Sequence, residues 1–182
     1  METDESQTLW TIGHSTRDIE AFIDLLTENH IEVLIDVRRF PGSRRYPQFH
    51  TDALALSLPA AGINYRHIVA LGGRRKAHAD SPNTEWRNLA FRGYADHMAS
   101  AEFCDAFAAL SALAAQRRCA IMCAELLWWR CHRSMIADDL ALHGWHVVHI
   151  MNAGKNAEHA FRAPAHLVAD TPLYDGGQVT LL

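Results

Sequence analysis

The sequence has no long hydrophobic run, and none of its apolar stretches approaches the roughly 18 to 20 residues that a membrane-spanning helix needs. The first residues, Met1 to Gln7, are acidic and polar, so we expect no secretory signal. The four cysteines are Cys104, Cys119, Cys123 and Cys131, and no two of them form a C-x-x-C pair. Their scarcity and spacing favour free thiols and a cytoplasmic protein with no membrane partner.

Lysine is nearly absent. Only Lys76 and Lys155 are lysines among 17 basic residues, so 15 are arginines. The net charge of −4 argues against a generally basic protein that coats nucleic acid. Arginine binds carboxylates and phosphates through two parallel hydrogen bonds, which lysine cannot do. The arginine excess therefore has two interpretations, anion binding or the codon bias of a high-GC genome.

Strand-like and helix-like segments alternate along the chain, and 182 residues are enough for one domain, 1–182. Strands are predicted at Thr8–Ile12, Ile31–Val37, Ile63–Ile68, Cys119–Ala124 and His146–Met151. Helices are predicted over Ile19–Asn29, Thr51–Ala60, Glu102–Ala115 and Met135–His143. We expect a three-layer α/β/α fold with a mainly parallel sheet of four to five strands, Rossmann-like or flavodoxin-like.

Other segments carry weaker patterns. Residues 71–92 are predicted to be irregular, and 153–182 to be a less regular C-terminal segment in which 179–182 add an edge strand. Ser15 and Asp18 have the spacing of a capping box at the start of the first helix.

The densest group of chemical side chains lies between the fourth predicted strand and the helix after it. Cys123-Ala124-Glu125 is followed by Cys131-His132-Arg133-Ser134. Such a connection lies at the carboxyl edge of a parallel sheet, where α/β proteins bind ligands and where helix amide groups favour thiolates. A helix cap surrounded by chance polar residues is the alternative.

Two other predicted strands also end in polar residues. His14 and Ser15 follow the first strand, and Asp36 and Arg38 end the second. Because parallel strands end at the same edge, we expect these side chains to converge with Glu125 on one pocket.

We assign roles to these residues as follows. Asp36 and Glu125 are candidate general acids or bases, and Cys131 is the candidate nucleophile. We expect the pKa of the Cys131 thiol to lie below the usual value of about 8.5. The candidate substrate-binding residues are His14, Ser15, Arg38, Arg39, Trp129, His132 and Arg133. We expect Arg133 to pair with a carboxylate, because a guanidinium near a buried sheet edge is costly alone.

Each role has an alternative. Asp36 can be a turn former, Arg38 can simply pair with Asp36, and Cys131 can be a small packing residue. A zinc site built from Cys123, Cys131, His132 or His14 is a further alternative to the assignment of no metal. The residues indicate no particular cofactor.

Five ordered blocks resemble the family named domain of unknown function 488. The blocks are Thr11–Ser15, Leu34–Ser43, Gly62–His67, Phe91–Ala95 and Cys123–Glu125 with Cys131–Arg133, and together they span about residues 8 to 151. The resemblance implies a fold class and the positions of the motifs, but no reaction, substrate or cofactor.

A weaker resemblance is to rhodanese-type domains, whose Asp-Val-Arg strand looks like Leu34–Arg38. Those enzymes surround the nucleophile with a short loop that ends in arginine. Here Trp128 stands five residues after Cys123, and Cys131 comes only two residues before Arg133, so neither cysteine has that loop.

We therefore expect an enzyme, a hydrolase or transferase, that acts on a small anionic or nucleotide substrate. One alternative is a non-catalytic nucleic-acid-binding protein that uses the arginines of 38–45 and 74–75, with Tyr46, Phe49 and the tryptophans as stacking surfaces. Another is a metal-dependent hydrolase. The oligomeric state stays open.

Overall fold

The computed structural model describes residues 7–177. Its strands are β1 (Thr8–Gly13), β2 (Val33–Asp36), β3 (Asn64–His67), β4 (Cys119–Cys123), β5 (His146–Asn152), β6 (Lys155–Glu158), β7 (His166–Val168) and β8 (Thr171–Leu173). Its helices are α1 (Ile19–Glu28), α2 (Thr51–Ala60), α3 (Leu89–Met98), α4 (Ala101–Ala114) and α5 (Arg133–Leu142).

The central sheet has the strand order β3-β2-β4-β1-β5-β6. Its first five strands are parallel, and β6 pairs antiparallel with β5 through a tight hairpin. The predicted parallel sheet is confirmed, with β6 as an additional antiparallel edge strand. Strands β7 and β8 form a separate hairpin.

Alternate side chains of the strands enter two different hydrophobic cores, which makes the fold three-layered. Leu9 and Ile121 belong to the core that α3, α4 and α5 cover. Trp10, Ile12 and Met122 belong to the core that α1 and α2 cover. Since both faces of the central sheet are covered, β1, β2, β4 and β5 are mainly apolar, whereas the edge strand β3 is polar and partly exposed.

Strand β4 lies between β2 and β1 in the sheet. The chain leaves β4 towards α5 on one face, whereas it leaves β1 towards α1 on the other face. Neighbouring strands whose connections go to opposite faces leave a crevice beyond their carboxyl ends. The fold therefore provides a binding crevice next to the Cys123–Arg133 connection.

Helix α3 was not predicted, because the expected irregular segment 71–92 overlaps its start. Asn88 caps α3 by accepting hydrogen bonds from the amides of Ala90 and Phe91. Gly93 made the helix hard to recognise, since glycine is a poor helix former. A Cβ atom at Gly93 would overlap the carbonyl oxygen of Arg75, so close packing explains the residue.

Two other expectations need correction. Asp18 itself is the N-cap of α1, and Ser15 lies outside the helix with a φ of 51°, so the capping box is wrong. The segment predicted as less regular contains β6, β7 and β8. The edge strand expected at 179–182 lies outside the described residues. Within residues 7–177, no helix is both long enough and apolar enough to cross a bilayer.

Candidate functional site

The polar ends of three adjacent parallel strands meet at one edge of the sheet. The amide of His14, after β1, donates to the carbonyl of Cys123 at 2.9 Å, and the amide of Val37, after β2, donates to Met122 at 3.0 Å. A Cβ atom at Gly13 would overlap the carbonyl oxygen of Glu125, so glycine lets the loop after β4 approach β1. The backbone therefore places the three strand ends side by side at this edge.

A pocket of about 190 Å³ opens at this edge. Its lining residues are Arg38, Arg39, Phe40, Gly73, Arg74, Cys123, Ala124, Glu125, Cys131 and His132. Three arginines thus face two thiols, an imidazole and a carboxylate. Phe40, Gly73 and Arg74 were not among the predicted pocket residues, although Arg74 is one of the arginines of the nucleic-acid alternative.

Asp36 is fully buried, and both of its carboxylate oxygens are engaged. Arg38 donates to Oδ1 through Nε at 2.9 Å and to Oδ2 through Nη2 at 2.6 Å, and Tyr65 donates its hydroxyl to Oδ2 at 2.8 Å. Asp36 does not line the pocket. Its geometry is that of a residue that orients Arg38, and Tyr65 is a partner that sequence reasoning missed.

His14 is 2% exposed and stacks on Phe49 at a ring-centroid distance of 4.2 Å. Burial lowers the pKa of His14 to about 4, and the charge of Arg38 contributes to this shift. The neutral ring donates from Nδ1 to the carbonyl of Ser15 and accepts from Arg38 at Nε2, 3.3 Å away. His14 therefore also holds Arg38, and neither His14 nor Ser15 lines the pocket.

Cys123 and Cys131 form a pair at the floor of the pocket, with their Sγ atoms 2.7 Å apart. Burial, followed by the contact with Cys131, raises the pKa of Cys123 well above its usual range. Burial also opposes ionisation of Cys131, but the Cys123 thiol and the charge and amide of Arg133 outweigh it and lower its pKa. Of the two thiols, Cys131 is therefore the one that ionises more readily.

His132 lies directly beside the sulfur of Cys131. Its Nε2 donates to the carbonyl of Val37 at 2.8 Å, which leaves Nδ1 facing Sγ of Cys131 at 3.5 Å. Burial lowers the pKa of His132, so the ring is neutral and its Nδ1 is a proton acceptor. A Cβ atom at Gly73 would come within 2.8 Å of Nδ1, so the ring packs closely against the backbone there.

Arg133 is 1% exposed and pairs with no carboxylate in the described part of the chain, which corrects our expectation. Its Nη2 donates to the carbonyl oxygens of Glu125 and Leu126 at 2.8 and 3.1 Å. Its Nε and Nη1 have no hydrogen-bond partner among residues 7–177. The positive charge is therefore uncompensated by a carboxylate and favours an anionic Cys131.

The remaining predicted residues differ in their access to the pocket. Glu125 is exposed at the rim, and half-buried Arg39 donates to the carbonyl of Arg74 at 3.0 Å. Trp129 lies perpendicular to Trp128, outside the lining of the pocket.

Two aromatic residues expected to stack on nucleic acid are instead part of the interior. Trp128 is 6% exposed and stacks on His149 at 4.1 Å, and Phe49 is completely buried beneath His14. Neither ring presents a free face to a base. Among residues 7–177, no three His, Cys, Asp or Glu side chains are placed to hold a metal ion.

A buried chain of hydrogen bonds on the α5 side of the sheet was not foreseen. It links Thr11, His149, His159, Asp138 and Tyr174 through contacts of 2.6, 3.1, 2.8 and 2.8 Å. Burial lowers the pKa of His149 to about 2, so this histidine is neutral. The chain ties Tyr174, near the C-terminal end of the described residues, to the core.

A family profile described as Domain of unknown function DUF488 matches residues 18–140, about two thirds of the 182-residue chain. The matched region includes the Asp36–Arg38 motif and the Cys123–Arg133 connection. Comparison with curated proteins gives no match, and comparison with solved structures gives none. The rhodanese resemblance therefore has no support beyond the sequence pattern. The chain belongs to the DUF488 family, and its pocket is formed largely by residues that the family profile covers.

Proposed function

We propose that the protein is a thiol-dependent transferase or hydrolase that acts on a small anionic substrate. The observation that carries this proposal is the position of Cys131 at the floor of a pocket that three arginines line. A thiolate is the reactive form of cysteine, and its formation here needs no external base. The cytoplasm, which keeps thiols reduced, is the compartment that suits this chemistry.

The reaction follows from the groups around the pocket. The Cys131 thiolate forms a bond to the electrophilic atom of the substrate, and the leaving group departs with the electron pair of the broken bond. Water or a second acceptor then attacks the thio-intermediate, and the carboxylate of Glu125 at the rim accepts its proton. Cys131 returns as a thiolate.

Substrate binding is assigned to Arg39 and Arg74, with a smaller part for Arg38. Arg38 donates hydrogen bonds to Asp36, His14 and the Phe49 carbonyl. Asp36 and His14 are therefore residues that position Arg38. The guanidinium groups of Arg39 and Arg74 have more freedom to bind carboxylate or phosphate. A pocket of about 190 Å³ suits a small anion or the charged part of a nucleotide.

Two alkylating agents of nearly equal size test the proposal. Iodoacetate is an anion and iodoacetamide is neutral, so their rate ratio at Cys131 reports anion binding next to a reactive thiol. We expect this ratio to be several-fold higher at Cys131 than at the exposed Cys104 of α4, measured by peptide mass spectrometry at neutral pH. The ratio should fall in an Arg39→Gln/Arg74→Gln variant. Equal ratios at the two cysteines would refute the proposal.

The nucleic-acid alternative predicts a different result. Binding through phosphates weakens steeply with salt. If the protein binds nucleic acid in this way, its affinity for nucleic acid should fall between low and physiological salt concentration. With Phe49 and Trp128 buried, the stacking surfaces of that alternative are reduced to Tyr46 and Trp129.

A further inference from the structure

The second thiol of the pocket has no role in the reaction above. Cys123 ends β4 and lines the same pocket as Cys131, and their sulfur atoms lie 2.7 Å apart. A disulfide requires sulfur atoms at about 2.05 Å, so only a small approach separates this contact from a bond. The two cysteines are eight positions apart in the sequence, so they do not form a C-x-x-C pattern.

The surroundings treat the two sulfurs differently. The amide of Arg133, at the start of α5, points at Sγ of Cys131 from 3.5 Å, and the charge of Arg133 also favours ionisation of this thiol. Cys123 has instead the carbonyl oxygen of Glu125 at 3.8 Å, which accepts from a thiol and repels a thiolate. This asymmetry is that of an attacking thiolate and a resolving thiol.

From this geometry we propose that Cys131 and Cys123 form an exchange-active dithiol that reduces anionic low-molecular-weight disulfides. The proposal rests on the pocket and the nucleophile of the proposed function, and it adds a second reaction and a substrate class. The carboxylates of such a disulfide are ligands for Arg39 and Arg74, which flank the thiols.

The exchange balances without any further reactant. The Cys131 thiolate attacks one sulfur of the substrate, its disulfide bond breaks, and one half leaves as a thiolate. Cys123 then attacks Sγ of Cys131, displaces the second half and passes its proton to a departing sulfur. The substrate gains two electrons and becomes one thiol and one thiolate, while the protein is oxidised to the Cys123–Cys131 disulfide.

Oxidised glutathione is a suitable probe, since it is a small disulfide that carries carboxylates. The full chain is reduced, freed of reductant, incubated with the probe, quenched in acid and mapped by mass spectrometry. We expect the wild-type protein to form the Cys123–Cys131 disulfide, and Cys123→Ser to accumulate glutathione on Cys131. Cys131→Ser should form neither product, and Cys104→Ser should behave as wild type. Cystamine is a cationic disulfide and serves as the comparison probe. The ratio of its reaction rate at Cys131 to its rate at Cys104 should be several-fold lower than the same ratio for oxidised glutathione.

The outcomes separate the two proposals. Glutathione that stays on Cys131 of the wild-type protein, with Cys123 still free, would overturn the dithiol and leave the nucleophile intact. Failure of Cys131 to react with glutathione disulfide and with iodoacetate would overturn both. If Cys123→Ser does not fold, Cys123→Ala replaces it, and the wild-type peptide map decides the question without any variant.

Discussion

Arg133 donates its hydrogen bond to the backbone carbonyl of Glu125 at 2.8 Å and not to the carboxylate of that residue. Carbonyl dipoles neutralise a buried guanidinium only in part, so an anion nearby is strongly favoured. Cys131 is the neighbouring group whose ionisation this charge favours, and the backbone amide of the same arginine points at its sulfur. Arg133 therefore links the loop after β4 to the ionisation of the pocket thiol.

Removing the charge of Arg133 tests that link. We expect Arg133→Met to slow the alkylation of Cys131 at neutral pH by about fivefold or more, because the pKa of the thiol rises when a neighbouring cation is lost. Arg133→Lys keeps the charge and should slow it less. The measurement is the pH profile of iodoacetamide labelling at Cys131.

Arg92 provides a matched control for that experiment. Its guanidinium also donates to backbone carbonyls, those of Trp86 and Thr84 at 2.9 and 3.3 Å, but it does not line the pocket. Arg92→Met should leave the labelling profile of Cys131 nearly unchanged. A profile in Arg133→Met identical to wild type would show that Arg133 does not stabilise the thiolate.

His14 makes the free energy of unfolding depend on pH. Because its pKa is about 4 in the folded protein against 6.5 in the unfolded chain, the unfolded state binds more protons between these values. Its contribution is complete above pH 6.5 and is lost as the pH falls towards 4, by about 2 to 3 kcal/mol. His14→Gln, which keeps an acceptor for Arg38, should lose less stability than wild type between pH 7 and 4.5.

Urea denaturation at the two pH values measures this difference. Other buried histidines, such as His149, have lowered pKa values and affect wild type and variant alike. The comparison therefore isolates His14. Equal pH dependence in both proteins would mean that His14 is protonated, or exposed, in the folded state.

Gly13 tests the close approach of β1 to the loop that carries Glu125. A methyl group at this position would overlap the Glu125 carbonyl, so we expect Gly13→Ala to destabilise the fold by about 3 kcal/mol and to slow the labelling of Cys131. At Gly42 a Cβ atom would meet nothing within 4 Å, and Gly42→Ala should stay within about 0.5 kcal/mol of wild type. Similar stabilities of the two variants would contradict the close approach.

Tyr174 tests the buried chain of hydrogen bonds. Its hydroxyl donates to Asp138 at 2.8 Å, and loss of that donor leaves a buried carboxylate oxygen unpaired. We expect Tyr174→Phe to lower the free energy of unfolding by about 1 to 3 kcal/mol. Tyr46→Phe is the control, since that hydroxyl has no hydrogen-bond partner among residues 7–177, and it should have little effect. A wild-type stability for Tyr174→Phe would mean that water replaces the hydroxyl.

Local patterns were enough to place most of the elements. The helical spacing of Ile19, Phe22 and Leu26 predicted α1, and strand-like segments predicted the five parallel strands. Strands β6, β7 and β8 were not predicted, because short exposed strands have no buried face and so show no alternation of apolar and polar residues. Helix α3 was not predicted because it contains Gly93. This glycine is required by close packing against the backbone at Arg75, which is distant in the sequence.

The sequence by itself determined the alternation of strands and helices and the polar residues at the strand ends, since these are local properties of the chain. It therefore predicted the edge of the sheet at which the site lies. Tertiary structure alone decided the insertion of β4 between β1 and β2, the pairing of Cys123 with Cys131, and the carbonyl partners of Arg133. These features depend on strand order and on the direction in which each side chain points. Both are determined by contacts between residues that are distant in the sequence, which form only when the core packs.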